Sequence, residues 1–294
     1  FNYFSMRGDE VETEGVIRPS AAPHVFDEAE DTFRVFDKKK ANISLFEKDA
    51  YRFKGRPYDY DGCGIICAKM PVADIKAVAK KYNATITEYL TALYMLTIYE
   101  AWLKDKPVKN KDVKILVPVN LRSRFASKTL RNFTLYVRCK HDFHTDISLE
   151  ECIALCKEQI AKGLDTEEIE KLIHYNVKIE KNVLIKIVPL FLKDIVMKLS
   201  YMRVGENLQS GDISNIGLVK TPECFNGRLK DLTFVIGPTK SAKQNFGVIG
   251  YNGNIYITSA RGYVENDIER ILIRKLAAAG VDITVTSNFW EADL

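Results

Sequence analysis

Ile115-Leu-Val-Pro-Val-Asn-Leu-Arg-Ser-Arg124 is followed shortly by Leu130-Arg-Asn-Phe-Thr-Leu-Tyr-Val137. The two apolar runs predict strands over 113–119 and 132–140, because both are rich in β-branched and aromatic residues. The residues between the strands are basic and polar. Guanidinium groups at such a junction can hold an anionic or polar ligand through paired hydrogen bonds.

Helical and extended patterns surround this stretch. Before it, strands are predicted over 51–54 and 64–70, and Pro71 opens a helix to about residue 82. Thr85 and Glu88 form a capping box for a helix that is apolar almost all round and ends near Leu103. That helix should therefore be central and buried.

The chain after this stretch continues the alternation. Ser148 and Glu151 form a second capping box, for a helix to about residue 162, and another helix is predicted over 166–180. Strands are predicted over 212–219 and 230–236. Asn252-Gly253 between two apolar runs predicts a hairpin with a type I′ turn. A helix from Asn266 to Gly280 and a strand over 281–286 complete the pattern.

Interspersed helices and strands with one hairpin indicate an α/β fold, a mixed-sheet two-layer sandwich. The chain has 294 residues and is 46% hydrophobic, which is enough for one large core. Residues 1–31 contain eight acidic residues against Arg7 and Arg18. We therefore interpret 1–50 as an acidic arm or linker and 51–294 as one lobe.

Several classes of protein are disfavoured. The sequence has no Gly-rich nucleotide loop and no Gly-x-Ser-x-Gly motif, and its longest basic run, Lys38-Lys39-Lys40, is too short for a nucleic-acid stripe. Its six cysteines lack the density of a disulfide scaffold and the spacing of a structural zinc site. They are expected to be buried thiols in a reducing compartment, and Cys224 lacks a neighbouring base that would make it a nucleophile.

The most apolar stretch spans residues 183–202. Lys186, Lys193, Asp194 and Lys198 interrupt it and rule out a membrane span, and Pro189 should end or kink its first turn. We expect the rest to form an amphipathic helix packed on the sheet. Two other interpretations remain open, namely the lining of a channel for an acyl chain and a helix resting on a bilayer surface.

None of the four histidines begins a His-x-x-x-Asp motif. His24 is followed by Asp27 at the wrong offset, and the residues four positions after the other three are Thr145, Ser148 and Lys178. His141 and His144 adjoin acidic residues, but a surface loop is the simpler interpretation than a metal site. His174 is interpreted as a packing residue.

Three blocks of sequence resemble the CoA-dependent acyltransferase superfamily with the chloramphenicol acetyltransferase-like fold. They are Val117–Arg122 with Leu130–Phe133, Ser214-Asn-Ile-Gly217, and Asp231–Pro238 through Tyr251–Asn254. Their order and spacing agree over roughly residues 51–288, and alcohol acetyltransferase-like proteins resemble the chain most. That family has two lobes, with His-x-x-x-Asp-Gly near the end of the first. The resemblance implies that this chain is the C-terminal lobe and that it starts, at Phe1, after an excised or processed first lobe.

The resemblance also implies a function and a set of site residues. Asn120, Arg122, Arg124, Asn132, Ser214 and Asn215 are expected to line the wall of a channel between the lobes. For the arginines, pairing with acidic side chains or strand-end carbonyls is an open alternative. For Asn132 and Asn215 the alternative is that they cap backbone groups of turns. Gly237-Pro238 and Asn252-Gly253 are interpreted as turns.

The parent reaction is expected to be O-acylation of an alcohol by acyl-CoA. The chain alone should be inactive, because it lacks His-x-x-x-Asp and so carries no catalytic residue of its own. No bound cofactor and no metal are expected. Its expected partners are its own N-terminal lobe or a second chain, in the cytoplasm, with no nucleic acid. The alternatives are a catalytically silent binding module and the lobe of a condensation-type, amide-forming enzyme.

Overall fold

The computed structural model describes residues 26–37, 47–58, 62–181, 187–200, 206–221, 228–240 and 242–288. Seven strands in it form one sheet, in the order β3-β2-β4-β5-β6-β1-β7. The strands are β1 (Gly64–Pro71), β2 (Asp112–Asn120), β3 (Thr134–Asp142), β4 (Gly211–Leu218), β5 (Gln244–Tyr251), β6 (Asn254–Arg261) and β7 (Thr284–Ser287). Strand β4 is parallel to both β2 and β5, whereas the other pairs are antiparallel. The predicted mixed sheet is confirmed.

Helices follow the predicted pattern closely. They are α1 (Thr32–Val35), α2 (Val72–Lys81), α3 (Ile86–Ile98), α4 (Leu149–Gly163), α5 (Thr166–Lys181), α6 (Leu190–Ser200) and α7 (Asp267–Ala278). A π-helical turn, Tyr99–Leu103, continues α3, and short 3-10 helices occupy Phe26–Ala29, Leu121–Ser123 and Glu206–Leu208. Both predicted capping boxes are present, at Thr85 with Glu88 and at Ser148 with Glu151.

The main hydrophobic core lies between α3 and one face of the sheet. Ten consecutive residues of α3, from Tyr89 to Ile98, are buried, and Tyr94 packs edge-on against Phe246 of β5 with ring centroids 4.6 Å apart. Helices α4 and α7 complete the same layer through Cys156, Ile160, Leu272 and Leu276. The structure therefore has the predicted α/β architecture, with helices concentrated on one side of a mixed sheet.

Residues 228–240 cover part of the opposite face. Leu229, Leu232 and Phe234 pack against Ile249 and Tyr256 there. The predicted strand over 230–236 is wrong: the segment is extended and its residues alternate between inward and outward positions, but it joins no ladder within the part of the chain that the structure describes. It crosses the face of the sheet instead of lying beside an edge, which separates its backbone groups from those of a neighbouring strand.

The predicted strand at 51–54 is also wrong. These residues form an irregular segment whose Tyr51 and Phe53 side chains enter the main core. The backbone amide of Tyr51 donates to the carbonyl of Asp112 over 2.7 Å. Alternating burial was thus visible in the sequence, but the segment joins no strand ladder within the described residues.

Helix α6 does not pack on the sheet, so that prediction is wrong for its described side chains. It begins directly after Pro189, as expected, but Phe191 is 68% exposed and Ile195 is 55% exposed. The rest of the apolar stretch, 183–186 and 201–202, lies outside the described residues. No helix in the described ranges combines the length and the apolar character needed to cross a bilayer. The acyl-channel and bilayer-surface interpretations stay predictions.

The described part of the acidic arm packs against the lobe. Phe33 and Phe36 of residues 26–37 join a second hydrophobic cluster with Phe133 and Ile173, and the Phe33 and Phe133 rings meet edge-on at 5.1 Å. Asp37 accepts hydrogen bonds from His174 Nδ1 at 2.7 Å and from Lys181 Nζ at 2.9 Å. His174 therefore pairs with a carboxylate on the arm.

Candidate functional site

The predicted site residues lie at or beside the strand ends on one side of the sheet, where β2 and β4 end and β3 begins. We call this side, which is not an outer strand, the site edge. Asn120, the last residue of β2, pairs with Thr134, the first residue of β3. Because β2 and β4 are parallel, the carboxyl end of β4, with Ser214 and Asn215, points to the same edge. The 121–133 connection joins β2 to β3 there. The structure thus brings the two predicted blocks to neighbouring strand ends, while their role in binding ligands stays a prediction.

Arg122 holds the 121–133 connection together. Its guanidinium donates through Nε to the carbonyl of Thr129 at 3.0 Å and through a terminal nitrogen to that of Arg131 at 2.5 Å. A third contact reaches Asn120 Oδ1 at 3.3 Å, and the same oxygen caps the 3-10 helix by accepting from the Arg122 amide. The interpretation of Arg122 as a partner of backbone carbonyls accounts for these contacts.

Arg124 and Asn132 are exposed at the same connection. Lys128 and Arg131 are exposed beside them, so the connection presents three cationic side chains in addition to Arg122. Sequence reasoning identified this connection but selected only two of its basic residues. The charge density of the whole loop is the signal that was available, and it suits an anionic group.

The arm fixes the other side of this connection. The Leu130 amide donates to the carbonyl of Glu28 at 2.8 Å, and Thr129 Oγ1 donates to the carbonyl of Glu30 at 2.8 Å. Thr32 and Ser127 share a hydroxyl–hydroxyl hydrogen bond of 2.9 Å. The connection is therefore held by Arg122 from within and by residues 28–32 from outside.

Asn215 ties the end of β4 to the start of α3. Its Nδ2 donates to Thr87 Oγ1 at 3.1 Å, and its Oδ1 accepts from the Gly217 amide at 2.9 Å. The ladder between β4 and β5 shifts register between Asn215 and Leu218, and Gly217 has a φ of 79°, which glycine adopts at no steric cost. Asn215 thus stabilises a bulge, which is the turn-capping alternative considered for it.

Ser214 and Asp212 face away from the helix layer. A Cβ on the preceding residue, Gly211, would lie 2.1 Å from the Tyr94 hydroxyl, so position 211 faces α3. Successive residues of a strand alternate between faces, so positions 212 and 214 face the other way. We call the opposite side the open face. Over β2, β3 and β4 it carries the partly or fully exposed residues Leu116, Pro118, Tyr136, Arg138, Asp212 and Ser214.

Asp212 is a titratable group that sequence reasoning missed. Burial raises the pKa of its carboxyl group to about 6, because a charged carboxylate is poorly stabilised away from water. Its backbone amide donates to Asn245 Oδ1 at 3.1 Å. The available signal was an aspartate at the start of a predicted strand.

A cluster of charges around Glu47 lies at the far end of the same strands. Lys114, only 1% exposed, donates to the carbonyl of Lys48 at 2.5 Å and lies 3.4 Å from Glu47. Arg138 and Lys140 also pair with Glu47, at 3.3 and 3.4 Å. Although burial opposes ionisation, these three cations hold the pKa of Glu47 below its usual value. Lys114 also lies 3.4 Å from Asp112, so the cluster contains three cations and two carboxylates.

The described histidines are all engaged elsewhere. His141 lies at the far end of β3 and His144 follows it, where Asp142 pairs with Asp112 at the edge opposite the site edge. His141 Nε2 lies 3.0 Å from the carbonyl of Thr145, and His144 Nδ1 lies 2.5 Å from Asp142. Among described residues, no group of three or more His, Cys, Asp or Glu side chains could hold a metal. His24 lies outside the described residues.

The described cysteines are free thiols at positions 63, 67, 139, 152 and 156. Cys139, Cys152 and Cys156 are fully buried in the main core, which agrees with their interpretation as small hydrophobic residues. Cys224 lies outside the described residues. The Asn252-Gly253 turn has positive φ angles of 45° and 75°, as the predicted type I′ hairpin requires.

The site edge and open face offer hydrogen-bond donors, cationic side chains and an apolar wall.

Residues 64–250, more than half of the chain, match the family model described as alcohol acetyltransferase. No curated protein matches the chain.

Solved structures with similar folds have low sequence identity. The nonribosomal peptide synthetase FmoA3, with α-methyl-L-serine-AMP bound, has a TM-score of 0.51 and 11% identity over 79% of this chain and 24% of its own. The trichothecene 15-O-acetyltransferase TRI3 from Fusarium sporotrichioides has a TM-score of 0.49 and 12% identity, over 78% and 48%. The epimerization domain from the third module of tyrocidine synthetase B has 0.48 and 11%, over 86% and 56%. The chain thus spans between about a quarter and just over half of the length of these proteins.

Proposed function

The chain belongs to the alcohol acetyltransferase family, and we propose that it forms the second lobe of an O-acyltransferase that moves an acyl group from acyl-CoA to an alcohol. Its match to the family model over residues 64–250 supports the reaction class. The chain covers 24% of the FmoA3 chain, and this partial coverage supports the assignment as one part of a larger protein. The first lobe, or a second chain in its place, would cover the open face.

The positions of the histidines carry the proposal that the base comes from elsewhere. Acyl transfer needs a base within about 2.6–3.2 Å of the alcohol hydroxyl. The base takes the hydroxyl proton as the oxygen attacks the thioester carbonyl, and CoA leaves as a thiol. In the described chain, His141 and His144 lie at the opposite edge and His174 pairs with the arm. A His-x-x-x-Asp motif on the first lobe would supply the base.

This lobe's own contribution would be to bind and orient the substrates. The exposed cations Arg124, Lys128 and Arg131 can pair with the phosphates of CoA. Arg122 would keep these residues in place through its contacts with Thr129 and Arg131. Acyl-CoA would thus be a substrate that binds and dissociates in each reaction cycle, and the enzyme would need no permanently bound cofactor.

Exposed apolar side chains support a covering partner. Ile216 and Leu218 at the site edge are 50% and 64% exposed, and Tyr136 on the open face is 54% exposed. Soluble monomers rarely leave large continuous apolar surfaces in water. A first lobe seated on the open face would bury these side chains and exclude water from the thioester.

Free thiols at every described cysteine favour a reducing compartment, and we propose the cytoplasm as the location of the protein.

A direct assay tests whether this chain lacks the base. The purified 294 residues are incubated with acetyl-CoA and a primary alcohol, and thiol release and ester formation are both measured. We expect no ester above the rate without protein. Ester formation that depends on the chain would contradict the proposal, and transfer to an amine instead of an alcohol would favour the condensation-type alternative.

A further inference from the structure

Three residues form a row across the open face. Leu116 of β2 pairs with Arg138 of β3 on one side and with Asp212 of β4 on the other. Neighbouring strands lie roughly 4.8 Å apart, so Arg138 and Asp212 flank Leu116 at a separation of two strand spacings. All three residues are partly exposed. A small molecule on the open face can therefore contact all three side chains, and it reaches the buried polar atoms of Arg138 and Asp212 when these side chains change rotamer.

Both polar members of this row have an atom that lacks a hydrogen bond. Asp212 Oδ1 and Arg138 Nε are buried and have no hydrogen-bond partner among the described residues. Such groups carry a desolvation cost that a partner would offset, and they are uncommon enough in folded proteins to need an explanation. One atom is an acceptor and the other is a donor, on either side of an apolar residue.

The surrounding charges argue against a charged ligand. Arg138, Lys114 and Lys140 share the carboxylate of Glu47, and Lys114 also pairs with Asp112 at 3.4 Å. Together with Asp212 these are three cations and three carboxyl groups, so, among the residues that the structure describes, the surroundings of the row have no excess charge of either sign. An anion would meet Asp212 and Glu47, whereas a cation would meet Arg138. An uncharged molecule with several hydroxyl groups can accept from one atom and donate to the other.

We propose that Arg138 and Asp212 form a binding site for an uncharged polyhydroxylated compound, with one ligand oxygen accepting from Arg138 Nε and a second hydroxyl donating to Asp212 Oδ1. The apolar side chain of Leu116 would contact the carbon backbone of the ligand between them. Few, well-placed polar groups on an apolar surface are typical of small-molecule sites. Ser214, two residues beyond Asp212 on the same face, offers a third hydroxyl contact.

This site would also define the acceptor class of the proposed reaction. That part of the inference rests on the proposed function, since the acceptor alcohol would be a polyol with another hydroxyl free to react. Binding itself does not depend on acyl transfer, because it needs neither acyl-CoA nor the first lobe. A result that contradicts polyol binding can thus be distinguished from a result that contradicts acyl transfer.

Nuclear magnetic resonance on the 294-residue chain tests the site. The probes are glycerol, erythritol and methyl glucoside as polyols, 1-butanol as a single alcohol, and acetate as an anion. The signals followed are the Arg138 Nε–H group and the Asp212 carboxyl carbon. We expect at least one polyol to shift both signals at a lower concentration than 1-butanol or acetate does.

Two variants and one control complete the experiment. Asp212→Leu removes the Oδ1 acceptor, and Arg138→Met removes the Nε donor while keeping an unbranched side chain. Each should weaken polyol binding about tenfold, the effect of one lost hydrogen bond. Glu158→Gln, on an exposed position of α4, should leave binding unchanged. The site assignment would be overturned if no polyol shifts the two signals, if acetate binds more tightly, or if both variants bind polyol like the parent chain.

Discussion

Arg122 Nε donates to the carbonyl oxygen of Thr129 across 3.0 Å, and this hydrogen bond links the start of the connection between β2 and β3 to its second half. A second bond from the same guanidinium reaches the carbonyl of Arg131. The planar fork of arginine can serve both carbonyls at once, which a lysine ammonium on a flexible stem does less well. The basic residues of the connection thus depend on one arginine for their arrangement.

Arg122→Lys should loosen the connection without removing its charge. We expect faster amide hydrogen exchange over residues 124–132 and a loss of stability of about 1–2 kcal/mol, since two hydrogen bonds from a charged donor are weakened. Hydrogen exchange with mass spectrometry and urea unfolding measure the two effects. Arg124→Lys, at an exposed position, is the matched control and should change neither. Equal exchange in both variants would contradict the role assigned to Arg122.

Asp212→Asn should make the folded chain more stable at neutral pH. Burial raises the pKa of Asp212 to about 6, above the value of about 3.9 expected in the unfolded chain. The folded state therefore keeps a proton that the unfolded state loses, and stability falls as pH rises between these two values. Because one pKa unit corresponds to about 1.4 kcal/mol, we expect a gain of about 1–3 kcal/mol at pH 7.

Urea unfolding at two pH values checks this expectation. The gain should vanish near pH 3.5, where the carboxyl is largely protonated in the folded state and increasingly so in the unfolded state. Asp49→Asn, at an exposed position, should show no such pH dependence. A variant less stable than the parent chain at pH 7 would show that the Asp212 carboxylate has a partner in the folded chain.

Gly247→Ala should displace the segment that crosses the sheet. A Cβ at position 247 would lie 2.0 Å from the carbonyl oxygen of Phe234, which is backbone and must move. We expect a loss of about 1–3 kcal/mol, typical of overpacking, and a weaker near-ultraviolet signal from the aromatic side chains nearby. Gly237→Ala, where a Cβ would meet nothing within 4 Å, serves as the control. Wild-type stability in the Gly247 variant would show that residues 228–240 do not pack as described.

Asp37→Asn should detach the arm in a pH-dependent way. Lys181 and His174 donate to the Asp37 carboxylate and, against the opposing effect of burial, hold its pKa below the usual value. A lowered pKa in the folded state stabilises the chain above the unfolded pKa of about 3.9, and the effect is lost as pH falls. The variant should therefore unfold at lower urea than the parent at pH 7, and at similar urea near pH 3. Limited proteolysis after residue 37 gives an independent readout, and resistance equal to that of the parent chain would contradict the anchoring role.

Local sequence signals predicted the fold well where the decisive contacts are also local. Capping boxes at Thr85 and Ser148 and the Asn252-Gly253 turn depend on residues within a few positions, so their geometry follows from the sequence. The strand predicted over 230–236 has the correct alternation but joins no ladder among the residues that the structure describes. Pairing depends on distant segments, which the pattern alone does not identify.

The site was harder to predict for the same reason. The sequence pointed to the 121–133 connection, but the partners of Arg122 are carbonyl oxygens whose direction depends on the folded loop. Asp212 was missed because its burial results from β2 and β5 lying on either side of β4. The exposure of α6 was missed because an apolar helix is usually covered by its own domain.

Reconstitution from two separate chains tests the central claim most directly. The 294-residue chain is mixed with the acyltransferase lobe that carries His-x-x-x-Asp, produced as a second polypeptide, and ester formation from acetyl-CoA and a primary alcohol is followed. We predict activity in the mixture, none from either chain alone, and loss of activity when the histidine of the motif is replaced by alanine. Ester formation by the 294-residue chain alone, at a rate unaffected by that histidine, would contradict the claim that the base belongs to the other lobe.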